Sequence, residues 1–480
     1  MRLSLLTTSI IIILLFQSCR DKPDATTLFG ILENEYENGN FQKLPQLLDS
    51  LKIRFPEEKG LIRMADSLTQ ISERISLDFS LTEDQFIQRI EAYNIPVNDS
   101  ILGTWDLKKW TEWRFIDGQK RYYRRSPSNL RLLKLFYENR ENRDIEKSRN
   151  PESLARRKHT EEIIAASDLT LNPVCPVSIT VNYTIRVNPD VVPEGKIIRC
   201  WMPWPRNDHP RQQKTEFLSA SEKNFIISPD SMTHRSIYME QKASAGSPAV
   251  FSVSFRYQPS AQFINPEYLK PETYNKESSL YKKYTREEPP QIRFSEDVKK
   301  LADSIAAPGD TPFETARRFY LWFKENIPWT GALEYSTMPD MPAYVMEHRR
   351  GDCGMQTLLY ISMLRYRGIP ARWQSGWTVF PDHENLHDWS EIYFEGTGWV
   401  PSDITYDLQA SDDRTIREFF ISGIDSYRLI LNNGISGSLY PEKIHLRSEP
   451  YDFQRGEVEW EGGNLYFDKW DYEISLEYEK

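Results

Sequence analysis

Gly351-Asp352-Cys353-Gly354 opens the stretch that decides the fold, and the apolar run Met355 to Tyr366 completes it. Within the run, Leu358, Leu359, Ser362, Met363 and Tyr366 recur at three- and four-residue steps, the spacing of a helix. Gly368 stands where a helix C′ glycine belongs, and Pro370 follows as a stop. The pattern predicts a buried helix that begins at Cys353. A helix N-terminus carries unpaired N–H groups and the positive end of the dipole, and both favour a negative charge. A thiol is nucleophilic as thiolate, so this position is expected to lower the Cys353 pKa.

Two later stretches supply partners. Asn385-Leu386-His387-Asp388-Trp389-Ser390-Glu391-Ile392-Tyr393-Phe394 begins polar and turns into a strand-like alternation. A turn at Glu395-Gly396-Thr397 leads into Gly398-Trp399-Val400-Pro401-Ser402-Asp403, the second strand of a hairpin. In such a hairpin His387 and Asp403, 16 residues apart, can lie opposite each other. Cysteine, histidine and aspartate then form a nucleophile, a base and a group that orients the base. A lone cysteine beside a buried helix is ordinarily a small core residue, and it is the company of His387 and Asp403 that favours chemistry. His383, in a polar loop, competes with His387, while Asp388 and Asp407 compete with Asp403. Strand neighbours point to opposite faces, so Asp388 is poorly placed to orient the His387 ring.

Together these segments resemble the transglutaminase-like superfamily, whose fold is related to the papain-type cysteine proteases. The matching elements are Gly351-Asp352-Cys353-Gly354, the helix ending in Arg367-Gly368-Ile369-Pro370-Ala371-Arg372, His387-Asp388-Trp389-Ser390-Glu391, and Gly398-Trp399-Val400-Pro401-Ser402-Asp403. The match runs from Thr311 to Tyr406. The resemblance implies an α+β, papain-like core with Cys353 as nucleophile, His387 as general base and acid, and Asp403 as orienting carboxylate. It implies cysteine-dependent acyl transfer on peptide amides through a thioester. Water as acceptor makes a protease or amidase; an amine makes a protein-crosslinking transglutaminase. No calcium loop is recognisable and water is the default acceptor, so hydrolysis is expected. A non-catalytic envelope scaffold is the remaining reading. No cofactor is expected. Acyl chemistry needs an oxyanion donor. The Cys353 N–H is one candidate and the Trp329 indole N–H another, against a plain buried or stacking tryptophan. Trp373, Trp377 and Trp389 either wall a cleft or belong to the core.

At the start of the chain, Met1-Arg2 precedes an apolar run, Ile10 to Phe16, that ends at Gln17-Ser18-Cys19. This is the pattern of a secretory signal, too short for a membrane-spanning helix of roughly 20 residues. Cys19 resembles the lipid-modified cysteine of a bacterial lipoprotein, although Phe16 and Gln17 depart from the usual small residues. The alternative is an ordinary cleaved signal. The expectation is an exported protein of the cell envelope, lipid-anchored on the periplasmic or surface side. Its substrate would be a peptide or protein, cell-wall peptide included.

The 480 residues carry a net charge of −10, which argues against broad nucleic-acid binding, and 13% aromatic residues, which argue against general disorder. Trp105 to Arg125 interleaves basic and aromatic residues, a pattern that can bind nucleic acid. Its Asp117-Gly118 pair favours a hairpin turn, so the stretch reads as a hairpin with a solvated basic face. Four cysteines leave Cys175 and Cys200 as either a disulfide or two buried thiols. No Cys/His cluster has zinc-ligand spacing, so no metal is expected. The sequence gives no sign of an oligomeric state.

Residues 1–19 read as the signal and 20–165 as a mainly helical region. Residues 168–262 read as an antiparallel β-module, with strict alternation from Ile179 to Val187. The catalytic core spans 292–410, with a capping box at Thr311-Pro312-Phe313-Glu314. Residues 411–480 are expected to form a helix and a β-hairpin about Glu461-Gly462-Gly463-Asn464, packed on the catalytic core or extending its sheet. They carry no recognisable chemistry.

Overall fold

Cys353 opens the helix that the sequence predicts, Cys353–Tyr366, in a computed structural model that describes residues 23–138, 150–168, 170–269 and 273–479. Cys19 and the signal segment lie outside the described residues. Asp352 caps the helix by accepting from the Met355 N–H at 3.1 Å. At the far end Gly368 takes φ +74°, the Gly368 N–H donates to the Arg365 carbonyl, and the Ile369 N–H donates to Leu364. That is a Schellman stop, as the glycine predicts. Every residue from Cys353 to Arg365 is buried, so the helix is a core element and not an amphipathic surface one.

The chain divides into two units. Among the described residues, the smaller takes in 23–73 together with Phe115–Gln119. Helices Ala25–Glu37 and Leu44–Arg54 bury Leu28, Leu32, Leu44, Leu48 and Leu51 in it. The Asp117 N–H, at the tip of the predicted hairpin, donates to the Gly39 carbonyl at 2.8 Å.

The larger unit is α+β. The central helix packs on an antiparallel sheet ordered Gly398–Ser402, His383–Phe394, Ala371–Phe380, Arg428–Asn432. Helices Glu296–Ile305, Pro312–Asn326 and Met341–His348 complete that layer. The predicted capping box is present in both directions between Thr311 and Glu314. Helix Pro151–Ser167 sends Ile163 into this core. Trp377, Val379, Leu429 and Leu431 face the other way, into the core of a β-sandwich.

The sandwich corrects the expected organisation of the C-terminal region. One sheet is ordered Gly463–Leu465, Glu457–Trp460, Ile197–Pro203, Ser236–Lys242, Phe225–Ile227. The other is ordered Trp470–Tyr478, Ile179–Val187, Ala249–Pro259, Gln212–Ala220. The C-terminal hairpin and last strand therefore complete the β-module, with Val458 opposite Cys200 and Ile474 opposite Tyr183. Among the described residues of that region, Arg428–Asn432 alone extends the catalytic sheet. The reason is edge pairing: Ile179–Val187 and Ile197–Pro203 each leave one ladder open, and the C-terminal strands close both.

Cys175 and Cys200 are free thiols. Cys200 points into the sandwich core, whereas Cys175 packs against the core of the catalytic layer. The two occupy different cores, which rules against the disulfide alternative.

Candidate active site

The loop before the central helix is tied to the segment that follows helix Pro312–Asn326. Trp329 forms a parallel bridge to Gly351, and the Thr330 N–H donates to the Gly351 carbonyl at 3.2 Å. This fixes Asp352-Cys353 beside the indole of Trp329. Cys353, His387, Asp388 and Trp329 line one cleft of about 470 Å³, with Asp452, Gln454 and Arg455 from the C-terminal region. Trp329 is 46% exposed and walls this cleft; Trp373, Trp377 and Trp389 are core.

The hairpin ladder ends at Ser390–Ser402, so Asp403 sits just past its strand and not opposite His387 in register. The side chains meet nonetheless. His387 Nε2 lies 2.8 Å from Asp403 Oδ2, and Arg428 donates to the same oxygen at 2.7 Å. Nε2–H then donates to the carboxylate, which leaves the Nδ1 lone pair free to take a proton. The ring is further held edge-on to Tyr406 at 5.4 Å and near-parallel to Trp389 at 6.1 Å. His383 is on the cleft rim against Asp382, and Asp407 is exposed. Neither competitor takes part in the His387–Asp403 pair.

Residues 299–404 match the family model described as the transglutaminase-like superfamily, a span that contains Cys353, His387 and Asp403. The chain carries a transglutaminase-like core. The uncharacterized protein YebA of Bacillus subtilis (strain 168) is 27% identical over 124 residues, 22% of this chain and 17% of that protein. The chain thus spans under a fifth of that relative's length. Among solved structures, a candidate cysteine protease from Cytophaga hutchinsonii is similar at 14% identity and a TM-score of 0.44, over 64% of this chain and 91% of that one. The periplasmic domain of TgpA from Pseudomonas aeruginosa is similar at 14% identity and a TM-score of 0.24, over 51% and 93%.

Electrostatics in the transglutaminase-like core depart from the helix-terminus expectation. Burial pushes the Cys353 thiol well up, and the charges of Asp388 and Asp352 add to it; a hydrogen bond from the Asp388 N–H opposes them. The dipole's pull is outweighed. At Asp403, burial works to raise the carboxyl, but His387 and Arg428 together hold it well below the usual range. Asp352 is pushed up to about 6, chiefly by burial. Asp388 is pushed well up by burial and by Asp452 and Asp352.

Several residues of this core escape sequence reasoning. Asp388, a poor candidate for the orienting group, instead places Oδ2 3.7 Å from Cys353 Sγ. Gln454 Nε2 donates both to Asp388 Oδ1 and to the His387 carbonyl, each at 2.8 Å. Arg428, Asp452 and Gln454 come from the region that shows no chemistry in its sequence. Arg124 and Arg125, read as a solvated basic face, line the cleft. One signal is the density of charge in Glu449–Glu459, with Glu449, Asp452, Arg455, Glu457 and Glu459, though nothing local says where it docks. Among the described residues, Glu152, Asp382 and His383 bring three ligand-type atoms within 4.8 Å at the surface. That trio includes neither Cys353 nor His387.

Proposed function

We propose that the chain is a cysteine-dependent acyl-transfer enzyme acting on peptide amides, and that water is its acceptor. The observation that carries this is one cleft lined by Cys353, at a helix N-terminus, and by His387, held by the Asp403–Arg428 pair. The resting thiol is neutral, so proton transfer accompanies attack. His387 Nδ1 takes the Sγ proton, and sulfur attacks the amide carbonyl carbon. The oxyanion that forms is stabilised by the Cys353 backbone N–H at the open end of the helix, with the Trp329 indole as second donor. The C–N bond breaks as His387 returns its proton to the leaving amine. Water, deprotonated by His387, then opens the thioester and regenerates the thiol.

The same proposal places the protein outside the cytoplasm, anchored through a lipid on Cys19, with peptide, protein or cell-wall peptide as substrate. Among the described residues no helix is long and apolar enough to cross a membrane. The experiment incubates a mixed protein substrate with a fluorescent primary amine, with and without Cys353→Ala. New amino termini that depend on Cys353 support the hydrolytic reading. Cys353-dependent incorporation of the amine without cleavage would replace it with crosslinking. Neither product, together with a Cys353 alkylation rate unchanged in His387→Ala, would sink the enzyme reading and leave a scaffold.

A further inference from the structure

The carboxyl of Asp388 is 1% exposed and touches the reacting sulfur, with Oδ2 3.7 Å from Cys353 Sγ. It cannot drift away. A Cβ built on Gly354 would lie 2.7 Å from Oδ2, so the carboxyl is pressed onto the first turn of the central helix. Its other oxygen is held by Gln454, which grips the His387 carbonyl with the same nitrogen.

Among the described residues no lysine or arginine pairs with Asp388. The groups that face it are Cys353 and Asp352 from the helix N-terminus, Tyr335 from the turn before it, Asp452 and Glu449 from the C-terminal segment, and its neighbour His387. Arg455, the cation of this cluster, is bonded to Glu334 and Glu449. Asp452 Oδ1 is itself buried and finds no donor among the described residues. A buried carboxylate among acids and without a cation is strongly disfavoured as the anion. An anion here would also repel the thiolate that the chemistry must create.

We propose that Asp388 serves as a neutral carboxylic acid whose O–H donates to the Cys353 sulfur and steadies the thiolate as His387 removes its proton. Asp388 neither gains nor loses a proton over the cycle: the Sγ proton goes to His387 Nδ1, and the Asp388 proton stays on its oxygen. The negative neighbour that would hold the thiol protonated thereby becomes a hydrogen-bond donor. Once sulfur is acylated, the hydrogen bond weakens and nothing further is required of it.

This inference rests on the thiol chemistry proposed above. The test measures the alkylation rate of Cys353 by iodoacetamide, from about pH 5 to about pH 10, in the full chain and in Asp388→Asn, Asp388→Ala and His387→Ala. Asparagine keeps the shape, accepts from Gln454 and offers a permanent N–H to sulfur. Asp388→Asn is expected to match the unaltered protein within about threefold across this range, since each presents a donor to the sulfur. Asp388→Ala is expected to be slower than Asp388→Asn at every pH. An Asp388→Asn rate that departs from that of the unaltered protein by about tenfold or more, or an Asp388→Ala rate equal to that of Asp388→Asn, would overturn the inference while leaving the His387-dependent thiol intact. Alkylation that ignores His387→Ala would overturn both.

Discussion

Replacing Arg428 with methionine tests the part of the site that holds His387. Arg428 is 1% exposed and serves two buried carboxylates, Asp403 at 2.7 Å and Asp425 at 2.8 Å. Its guanidinium also lies 4.6 Å from the Tyr406 ring centroid, so methionine fills much of the apolar contact but none of the charge. After the change Asp403 keeps His387 and Thr405, and Asp425 keeps the Tyr427 N–H. Leaving a buried ion without its partner costs about 3–5 kcal/mol. The remaining donors put the expected loss near the middle of that range, about 4 kcal/mol at neutral pH.

The pH dependence has a definite sign. In the unaltered protein, burial works to raise both carboxyls, but His387 and Arg428 hold Asp403 down and Arg428 leads in holding Asp425 down. The stability they contribute is present above the ordinary carboxyl pKa of roughly 4 and is lost as pH falls through the lower folded values. Without Arg428, burial dominates and the folded values rise, so the variant loses stability as pH climbs from about 4 toward 7. The gap between the proteins is therefore widest near neutrality and narrows in acid. Urea unfolding followed by the emission of buried Trp373, Trp377 and Trp389 reads it directly. A second change, Asp425→Asn, should recover about 1–2 kcal/mol in the Arg428→Met background. A loss below about 1 kcal/mol, or a gap that stays constant with pH, would refute the reasoning.

Gly354→Ala places a methyl 2.2 Å from Tyr335 Oη, 2.7 Å from Asp388 Oδ2 and 2.9 Å from the Trp373 ring. It should cost at least about 2 kcal/mol in thermal unfolding and slow Cys353 alkylation; an unchanged melt would mean this wall yields easily. Asp352→Asn keeps a capping oxygen for the Met355 N–H. Burial pushes Asp352 up to about 6. A raised carboxyl stabilises below its unfolded pKa, and that stability fades as pH rises through the folded value. Asp352→Asn should therefore gain on the unaltered protein by about 2–3 kcal/mol between pH 4 and pH 7, measured as paired urea midpoints.

What could be read in the sequence is what local chemistry specifies. The central helix announces its start with Asp352, its stop with Gly368, and its burial with an unbroken apolar run. The Thr311–Glu314 box announces the start of another helix. His387 and Asp403 are legible because a short hairpin joins them. Arg428, Gln454 and Asp452 are invisible because they lie 25 or more residues beyond Asp403, with no local pattern that ties them to it. Nothing within a few residues of Ile474 says that its partner is Tyr183. The registers that place these groups belong to the whole core.

The one electrostatic expectation that failed does so for the same reason. A helix N-terminus stabilises an anion by about 0.3–1 kcal/mol, up to about 2 in partly buried sites. Burying that anion beside other carboxylates costs several kcal/mol, as an uncompensated ion does anywhere in a protein interior. The larger effect wins, and Cys353 rests as a thiol. That outcome does not argue against catalysis. Under the proposed chemistry it moves the burden from a standing thiolate to a base in the same cleft, the role proposed for His387, which Asp403 and Arg428 hold. It also explains why the carboxyl touching the sulfur is useful only without its charge: as an anion Asp388 would add to the cost, and as an acid it offsets part of it.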